Sequence, residues 1–396
     1  MALVDMRDML RHAYDNNYAV GAFDLVSLDF LEAVIGAAED ARAAIILSVA
    51  EPHFAHYDIE LMLPAVEAAA RRASVPVAIQ LDQGASIESV ARAIRLGCNG
   101  VMLDASRLPL PDNIEMTRKV VDMAHGCGVP VMGEVGYVAG REGEEARFRP
   151  GDPVLTVPAE ARAYVERTGV DCLAVSIGTI QGRFKGRAKL DFQRLKQLRE
   201  RLSIPLEIHG GSGLNEEQFR KLTALGIAKI NYYTALSDVA ADVMRKQSKS
   251  NRAGSFIDLK KGVKEAVGEE VRRCLRIWGS AGRAAEVLAQ CRDWSPVEQF
   301  LLFDLHDTVD GDIDSLQRQI KHVFENHPGV RSISFGEAVI GNDHFDSCCK
   351  LQLVSEACLI ELASHPDFSR LAKASRGESL FKILAQTDCK GPWRAP

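Results

Sequence analysis

Short apolar runs recur along the first part of this 396-residue chain, and each of them stops at a polar residue. Amphipathic segments of helical period separate these runs. Eight β-then-α units predict a (β/α)8 TIM barrel, whose active site lies where the strands end. A doubly wound open sheet is the alternative, and it is disfavoured because no GxGxxG motif follows the first run. The runs are Val20–Phe23 before Asp24, Ala44–Leu47 before Ser48, Val77–Leu81 before Asp82, Gly100–Leu103 before Asp104, Val129–Gly133 before Glu134, Cys172–Val175 before Ser176, Leu206–Ile208 before His209, and Ala228–Ile230 before Asn231.

The seventh run opens into a glycine-rich turn, His209-Gly210-Gly211-Ser212-Gly213. Glycines let the backbone approach an anion closely, and the helix predicted to follow adds the positive end of its dipole. A buried structural histidine followed by a passive turn would give the same pattern. Polar residues at the other strand ends favour a ligand site here.

Composition describes an ordinary globular protein, with 46% hydrophobic residues, 26% charged residues and a net charge of −6. The absence of excess basic charge argues against nucleic acid or an acidic membrane surface as partner. Nine cysteines without CxxC spacing favour a reduced cytoplasm over a disulfide framework. No signal peptide or membrane span is predicted.

The pattern changes near residue 283. We expect a barrel domain at 1–283, a linker at 284–296 with a helical start, and a second domain at 297–390. The second domain has the pattern β-α-β-β-α-β, beginning with a strand at Phe300–Leu305, which predicts a smaller α+β domain with a ferredoxin-like fold.

Six motifs in the barrel region resemble, in order and spacing, those of the class II ketose-bisphosphate aldolases, the fructose- and tagatose-bisphosphate group. The resemblance covers about residues 1–283 and implies a TIM barrel and lyase activity in carbohydrate metabolism. The motifs are Leu81-Asp82-Gln83, Asp104-Ala105-Ser106, Gly133-Glu134-Val135-Gly136 with Gly140-Arg141-Glu142, Ile177-Gly178-Thr179-Ile180-Gln181-Gly182, His209-Gly210-Gly211-Ser212-Gly213 and Asn231-Tyr232-Tyr233-Thr234.

The resemblance also implies roles for individual residues. Asp82 matches the general acid/base, and Glu142 matches the loop residue that moves the substrate proton. His209 matches one of three zinc-binding histidines, and Asp104 and Glu134 match acidic positions near the metal. The substrate- and phosphate-contacting positions are Gly182, Gly211, Ser212, Asn231 and Thr234.

The two other zinc positions hold Gln83 and Gln181. An amide oxygen is a weak, hard ligand better suited to Mg²⁺ or Mn²⁺, so the usual zinc site is disfavoured. Three interpretations remain open. A hard cation could be held by some of His209, Glu134, Asp104, Gln83 and Gln181; the chemistry could be metal-free; or the site could be non-catalytic.

The loop Arg183–Lys189 carries four cations, including Lys185. Such a loop suits a lid over an anionic substrate, and it is equally consistent with a solvated surface loop. Lys229 lies on the eighth predicted strand, but resembling enzymes do not use this lysine covalently, so a Schiff base is disfavoured.

The C-terminal domain resembles the stress-responsive dimeric α/β-barrel (Dabb) family through its opening strand with His306, and through Leu362–Phe368. That family pairs two sandwiches into a barrel. The resemblance therefore implies a homo-oligomer here, formed through this domain.

Together these features predict an aldehyde-lyase of the class II aldolase superfamily, acting on a C–C bond next to a carbonyl in a phosphorylated or anionic sugar-like substrate. Asp82, Glu142 and His209 are the predicted catalytic residues, and Lys185 joins the substrate-binding set. The alternative is a non-catalytic sugar-phosphate binding protein that has lost its metal.

Overall fold

The computed structural model describes residues 2–140, 144, 154–183, 188–249, 254–303, 313–337, 347–364, 366 and 382–385. The chain divides into two compact units. The first contains Met1–His125 and Val129–Trp294, and the second contains Gly126–Gly128 and Ser295–Pro396. The boundary between the two units, at 294/295, lies within the stretch 284–296 predicted as a linker.

The first unit is a closed barrel of eight strands in sequence order, and all neighbouring strands are parallel. Closure pairs the first strand with the last, with Ala22 opposite Asn231. The predicted TIM barrel is therefore confirmed. The strands are β1 Val20–Asp24, β2 Ile45–Ala50, β3 Val77–Gly84, β4 Gly100–Leu103, β5 Val131–Val135, β6 Cys172–Val175, β7 Leu206–Ile208 and β8 Ile227–Tyr232.

Several strands continue past the polar residue at which the apolar pattern stops. β2 includes Ser48, β3 includes Asp82 and Gln83, and β8 includes Asn231. The reason is that parallel pairing is made by the backbone, so the ladder extends to Ser48, Asp82 and Asn231 whatever their side chains. These polar side chains are consequently held by strands rather than by loops.

Helices connect the strands, and side-chain caps start many of them. Ser27 and Ser86 each accept a hydrogen bond from the amide three residues on, and Asn215 forms a capping box with Gln218. The helices are α1 Met6–Asp15, α2 Leu28–Ala41, α3 Ile59–Arg72, α4 Ile87–Arg95, α5 Leu110–Gly126, α6 Pro158–Thr168, α7 Phe192–Arg201, α8 Glu216–Ala224, α9 Thr234–Ser248, α10 Phe256–Lys260, α11 Val263–Ile277 and α12 Ala284–Gln290, with 3-10 turns at Glu51–Ala55 and Gly211–Gly213.

The barrel interior has an apolar floor. Strand residues such as Ala22, Ile46 and Met132 share one buried cluster with Met9 and Leu10 of α1. Because α1 covers the amino-terminal end, the carboxyl ends of the strands are the side at which a ligand would enter.

In its described residues the second unit has a four-stranded antiparallel sheet and two helices, in the chain order β-α-β-β-α-β. The strand order β10-β11-β9-β12 is that of a ferredoxin-like fold, as predicted. The opening strand, described over Val297–Phe303, begins before the predicted Phe300, because its pairing with β11 begins at Val297. The predicted end at Leu305 lies outside the described residues. The elements are β9 Val297–Phe303, α13 Ile313–Phe324, β10 Val330–Glu337, β11 Ser347–Leu353, α14 Glu356–Ser364 and β12 Lys382–Ala385.

The Dabb resemblance stays a prediction. His306 and Asp367–Phe368, which contribute to it, lie outside the described residues. Across the described parts of both units, no helix is long and apolar enough to cross a membrane.

Candidate active site

Asp82 and His209 meet inside the carboxyl end of the barrel. Asp82 lies on β3, and His209 directly follows β7. Asp82 is 1% exposed and His209 0%, and Asp82 Oδ2 lies 4.0 Å from His209 Nδ1. Within the described part of the chain, neither Asp82 Oδ1 nor His209 Nδ1 has a hydrogen-bond partner. Buried polar atoms normally have one, so these two are available to a ligand.

Burial changes the protonation of both groups in ways that suit acid–base chemistry. It raises the pKa of Asp82 to about 6; the Asp104 carboxylate adds to this rise, and the Lys229 ammonium opposes it. Burial also lowers the pKa of His209 to about 4. At neutral pH the site therefore holds an ionised carboxylate beside a neutral imidazole.

An ion pair between neighbouring strands lies beneath these groups. Lys229 of β8 contacts the carboxylate of Glu207 on β7, and both side chains are fully buried. Burial lowers the pKa of Lys229, but the charges of Glu207 and Asp82 outweigh that effect and leave the pKa above its ordinary value. The lysine is thus held as an ammonium and not as a free amine.

The side-chain amide of Asn231 borders His209, and that of Gln80 contacts Asn231. Gln80 Nε2 lies 3.3 Å from Asn231 Oδ1 and 3.4 Å from Ser48 Oγ. Asn231 Nδ2 lies 3.3 Å from the Ile208 carbonyl and 3.4 Å from His209 Nε2. Asn231, predicted as a substrate-binding residue, is therefore part of the network around His209.

Two other candidate metal ligands, Glu134 and Asp104, have hydrogen-bond partners of their own. Glu134 is buried on β5 and accepts a hydrogen bond from the Val138 amide (3.3 Å). Burial, with repulsion from Asp104, raises the pKa of Glu134 well above its ordinary value and favours the protonated acid. Asp104 Oδ1 accepts hydrogen bonds from Ser106 N (3.1 Å) and Oγ (2.7 Å).

The glutamines differ in position. Gln83 has a left-handed backbone, with φ 50°, whereas Gln181 is buried and its backbone N–H donates to the Ala139 carbonyl. Catalytic zinc needs three protein ligands. In the described part of the chain, no three His, Cys, Asp or Glu side chains are placed to hold a metal ion. Gln83 and Gln181 stand at two of the three positions at which the resemblance implies imidazoles.

The glycine-rich turn is built for close approach of the backbone. Gly210 has φ 73°, and a Cβ at this position would lie 2.4 Å from the Ile180 carbonyl oxygen. Gly211–Gly213 then form the 3-10 turn, in which Ser212 Oγ accepts a hydrogen bond (3.1 Å) from the Ala235 amide. This bond brings the turn to Thr234 at the start of α9, so Gly211, Ser212 and Thr234 lie together.

The loop after β6 is described only in part. Gly182 has φ 80°, and Arg183 forms an ion pair with Asp238 of α9, with Nε 2.7 Å from Oδ1. Glu142 and Lys185, predicted as catalytic and substrate-binding residues, lie outside the described residues.

Sequence reasoning did not assign a role in the site to Gln80 or Glu207. Each lies two positions before a recognised residue, Asp82 or His209. Residues two apart on a strand share a face, so this spacing is the signal that would have found them. Lys229 has the same relation to Asn231.

In (β/α)8 barrel enzymes the active site lies at the carboxyl ends of the strands. The buried carboxyl group and imidazole at this end place the molecule in that class. Residues 4–283 match the family model described as "Fructose-bisphosphate aldolase class-II". The chain belongs to the class II fructose-bisphosphate aldolase family, as its motifs predicted.

Relatives agree with this assignment. The chain is 36% identical over 290 residues to a "Probable fructose-bisphosphate aldolase" of Bacillus subtilis (strain 168), covering 72% of this chain and all of the relative. The crystal structure of the YdjI aldolase from Escherichia coli K12 is similar, with TM-score 0.64, 32% identity, and coverage of 71% of this chain and 99% of that one. A putative fructose-1,6-bisphosphate aldolase from Coccidioides immitis gives TM-score 0.64 at 27% identity, covering 70% and 97% of the two chains.

Proposed function

We propose that this member of the family is an aldehyde-lyase that cleaves or forms a C–C bond next to a carbonyl in a phosphorylated or otherwise anionic sugar-like substrate. The observation that carries the proposal is the buried pair of Asp82 and His209. Their facing groups lie 4.0 Å apart at the carboxyl end of the barrel. Fructose-bisphosphate stands in the names of two of these relatives, and it is the first compound to test.

In this proposal Asp82 takes and returns the proton of the hydroxyl at the cleaved bond. Its ionised form at neutral pH supports the role of base. His209, held neutral by burial, polarises the carbonyl by hydrogen bonding. Glu142 moves the enediolate proton. Gly182, Lys185, Gly211, Ser212, Asn231 and Thr234 are proposed to bind the substrate and its anionic group.

We also propose that the chain does not use zinc in the usual way of its family. Gln83 and Gln181 replace two imidazoles, and zinc loses more from that exchange than Mg²⁺ or Mn²⁺ would. Protein purified without added metal is expected to contain no stoichiometric zinc by elemental analysis. About one tightly held zinc per chain, removed by His209→Ala, would contradict this proposal.

The function is tested with a panel of sugar phosphates, first by thermal shift, since a ligand of the native site stabilises by mass action, and then by turnover. For a substrate found in this way, Asp82→Asn is expected to retain binding and to lower kcat by about 10²- to 10⁴-fold. Unchanged turnover by Asp82→Asn would rule out the lyase mechanism. Binding without turnover by the wild type would support the alternative, a non-catalytic sugar-phosphate binding protein.

The proposal also includes the location of the protein in the cell and its self-association. The cysteines at 98, 127, 172, 274, 291, 348, 349 and 358 are free thiols, which fits the reducing cytoplasm. Self-association through the second unit is proposed from its resemblance to the dimeric α/β-barrel family.

A further inference from the structure

We propose that Gln80 and Asn231 fix the tautomer of His209, placing its single ring proton on Nδ1, the nitrogen that faces Asp82. His209 would then act as a hydrogen-bond donor toward a ligand oxygen, and not as a metal ligand. Gln80 is a positioning residue in this arrangement, since it acts on His209 through Asn231.

The argument begins with the orientation of the Asn231 amide. A backbone carbonyl can only accept a hydrogen bond, so the atom 3.3 Å from the Ile208 oxygen must be the Asn231 nitrogen. On the other side, Gln80 Nε2 donates to Asn231 Oδ1 over 3.3 Å. The Ile208 contact fixes the orientation, with the NH₂ group toward the end of β7, and the Gln80 contact agrees with it.

The oriented NH₂ group determines which ring nitrogen of His209 is protonated. Asn231 Nδ2 has two hydrogens; one is directed to the Ile208 carbonyl, and the other faces His209 Nε2 at 3.4 Å. Because Nδ2 can only donate, Nε2 must accept with its lone pair. A neutral imidazole has one N–H, and it is therefore on Nδ1.

The proton on Nδ1 points to the reacting side of the site. Nδ1 lies 4.0 Å from Asp82 Oδ2, beyond hydrogen-bond distance, and no described group bonds to Nδ1 or to Asp82 Oδ1. A carbonyl and a hydroxyl of one substrate can satisfy the N–H and the carboxylate together. The negative charge of Glu207, whose Oε1 lies 4.0 Å from Nε2, is balanced by Lys229.

This arrangement leaves His209 without a lone pair for a metal. Nε2 uses its lone pair to accept from Asn231, and Nδ1 is protonated. The catalytic role of the His209 Nδ1–H rests on the proposed function, but the assignment of the tautomer does not.

The tautomer is measured directly by magic-angle-spinning NMR of the full chain labelled with ¹⁵N-histidine. This method separates protonated from unprotonated ring nitrogens, and comparison with His209→Gln identifies the signals of His209. The wild type is expected to show one population, with Nδ1 protonated. Asn231→Ala removes the donor to Nε2 and leaves Glu207 Oε1 facing it, so the proton is expected to move to Nε2.

Two further variants isolate the role of Gln80. Gln80→Met keeps the length of the side chain and removes the donor to Asn231, so a second population protonated on Nε2 is expected. Ser48→Ala is the matched control, because it removes the other contact of Gln80 and should leave the spectrum unchanged. Circular dichroism establishes that each variant is folded.

A wild-type signal from Nε2–H would overturn the proposal. So would a folded Asn231→Ala or Gln80→Met protein that keeps the single Nδ1–H population. These outcomes do not depend on turnover, so the failure of the lyase assignment and the failure of this inference can be told apart.

Discussion

At the scale of single residues, Asp82 is the proposed base, and its environment determines its protonation. Its carboxylate is almost fully buried, and it interacts with the positive charge of Lys229 and the negative charge of Asp104. Desolvation has the largest effect on its pKa, because little water reaches the group to stabilise the charged form.

The pH dependence of activity follows from this position. Burial raises the pKa of Asp82 to about 6, so the proposed base is ionised above that pH and protonated below it. With a turned-over substrate, we expect kcat/KM to fall about tenfold per pH unit on the acid side, which a pH–rate profile measures.

Asp104→Asn provides a control for that profile. It removes a charge that raises the pKa of Asp82, so the acid limb should move to lower pH. If the acid limb does not move in Asp104→Asn, a group other than Asp82 causes it. The same conclusion follows if the limb persists in Asp82→Asn.

At the scale of elements, the turn between β7 and α8 joins the site to the barrel wall. Its first glycine, Gly210, adopts a left-handed backbone and packs against the Ile180 carbonyl. The turn holds Ser212 against the start of α9 through the Ala235 amide. A change in this turn therefore acts on two helix starts and on His209 together.

Gly210→Ala is expected to destabilise the fold by about 1–3 kcal/mol, because alanine is strained at φ 73° and its Cβ meets the Ile180 oxygen. It should also weaken binding of an anionic ligand. Urea denaturation and thermal shift measure the two effects.

Gly213→Ala is the matched control in the same turn. The φ of Gly213 is not positive, and a Cβ added at Gly213 would have no atom within 4 Å outside its own chain neighbours. If Gly213→Ala lowers the stability as much as Gly210→Ala does, strain at Gly210 is not the cause of the loss.

At the scale of the whole molecule, the second unit is a small sheet with its own buried residues, such as Phe324, Cys349 and Leu351. The division of the chain at 294/295 leaves the eight-stranded barrel complete in the first unit. Each unit therefore has the core that independent folding requires.

Removing residues 297–396 is expected to leave a folded barrel with a different number of subunits per particle. The physical reason is that the proposed contacts between copies are made by the removed unit. Light scattering of the truncated and full-length proteins measures the change. An unchanged subunit number, with circular dichroism showing a folded barrel, would place the contacts elsewhere.

The sequence by itself determined the barrel and the chemical types at its carboxyl end. Eight apolar runs reveal eight strands because a parallel strand is buried on both faces. Asp82 and His209 stand out since each ends such a run and lies in one of the family motifs. The family motifs gave their candidate roles, and the predictions for Glu142 and Lys185 still rest on the sequence.

Only the tertiary structure decided which polar side chains meet. Gln80 and Asn231 are 151 positions apart and come together inside the closed barrel. Glu207 and Lys229 pair because the register of β7 on β8 places them opposite each other. The periodicity of one strand shows which residues share a face, but closure of the sheet sets their neighbours, and those neighbours set the charge of Asp82 and the hydrogen bonding of His209.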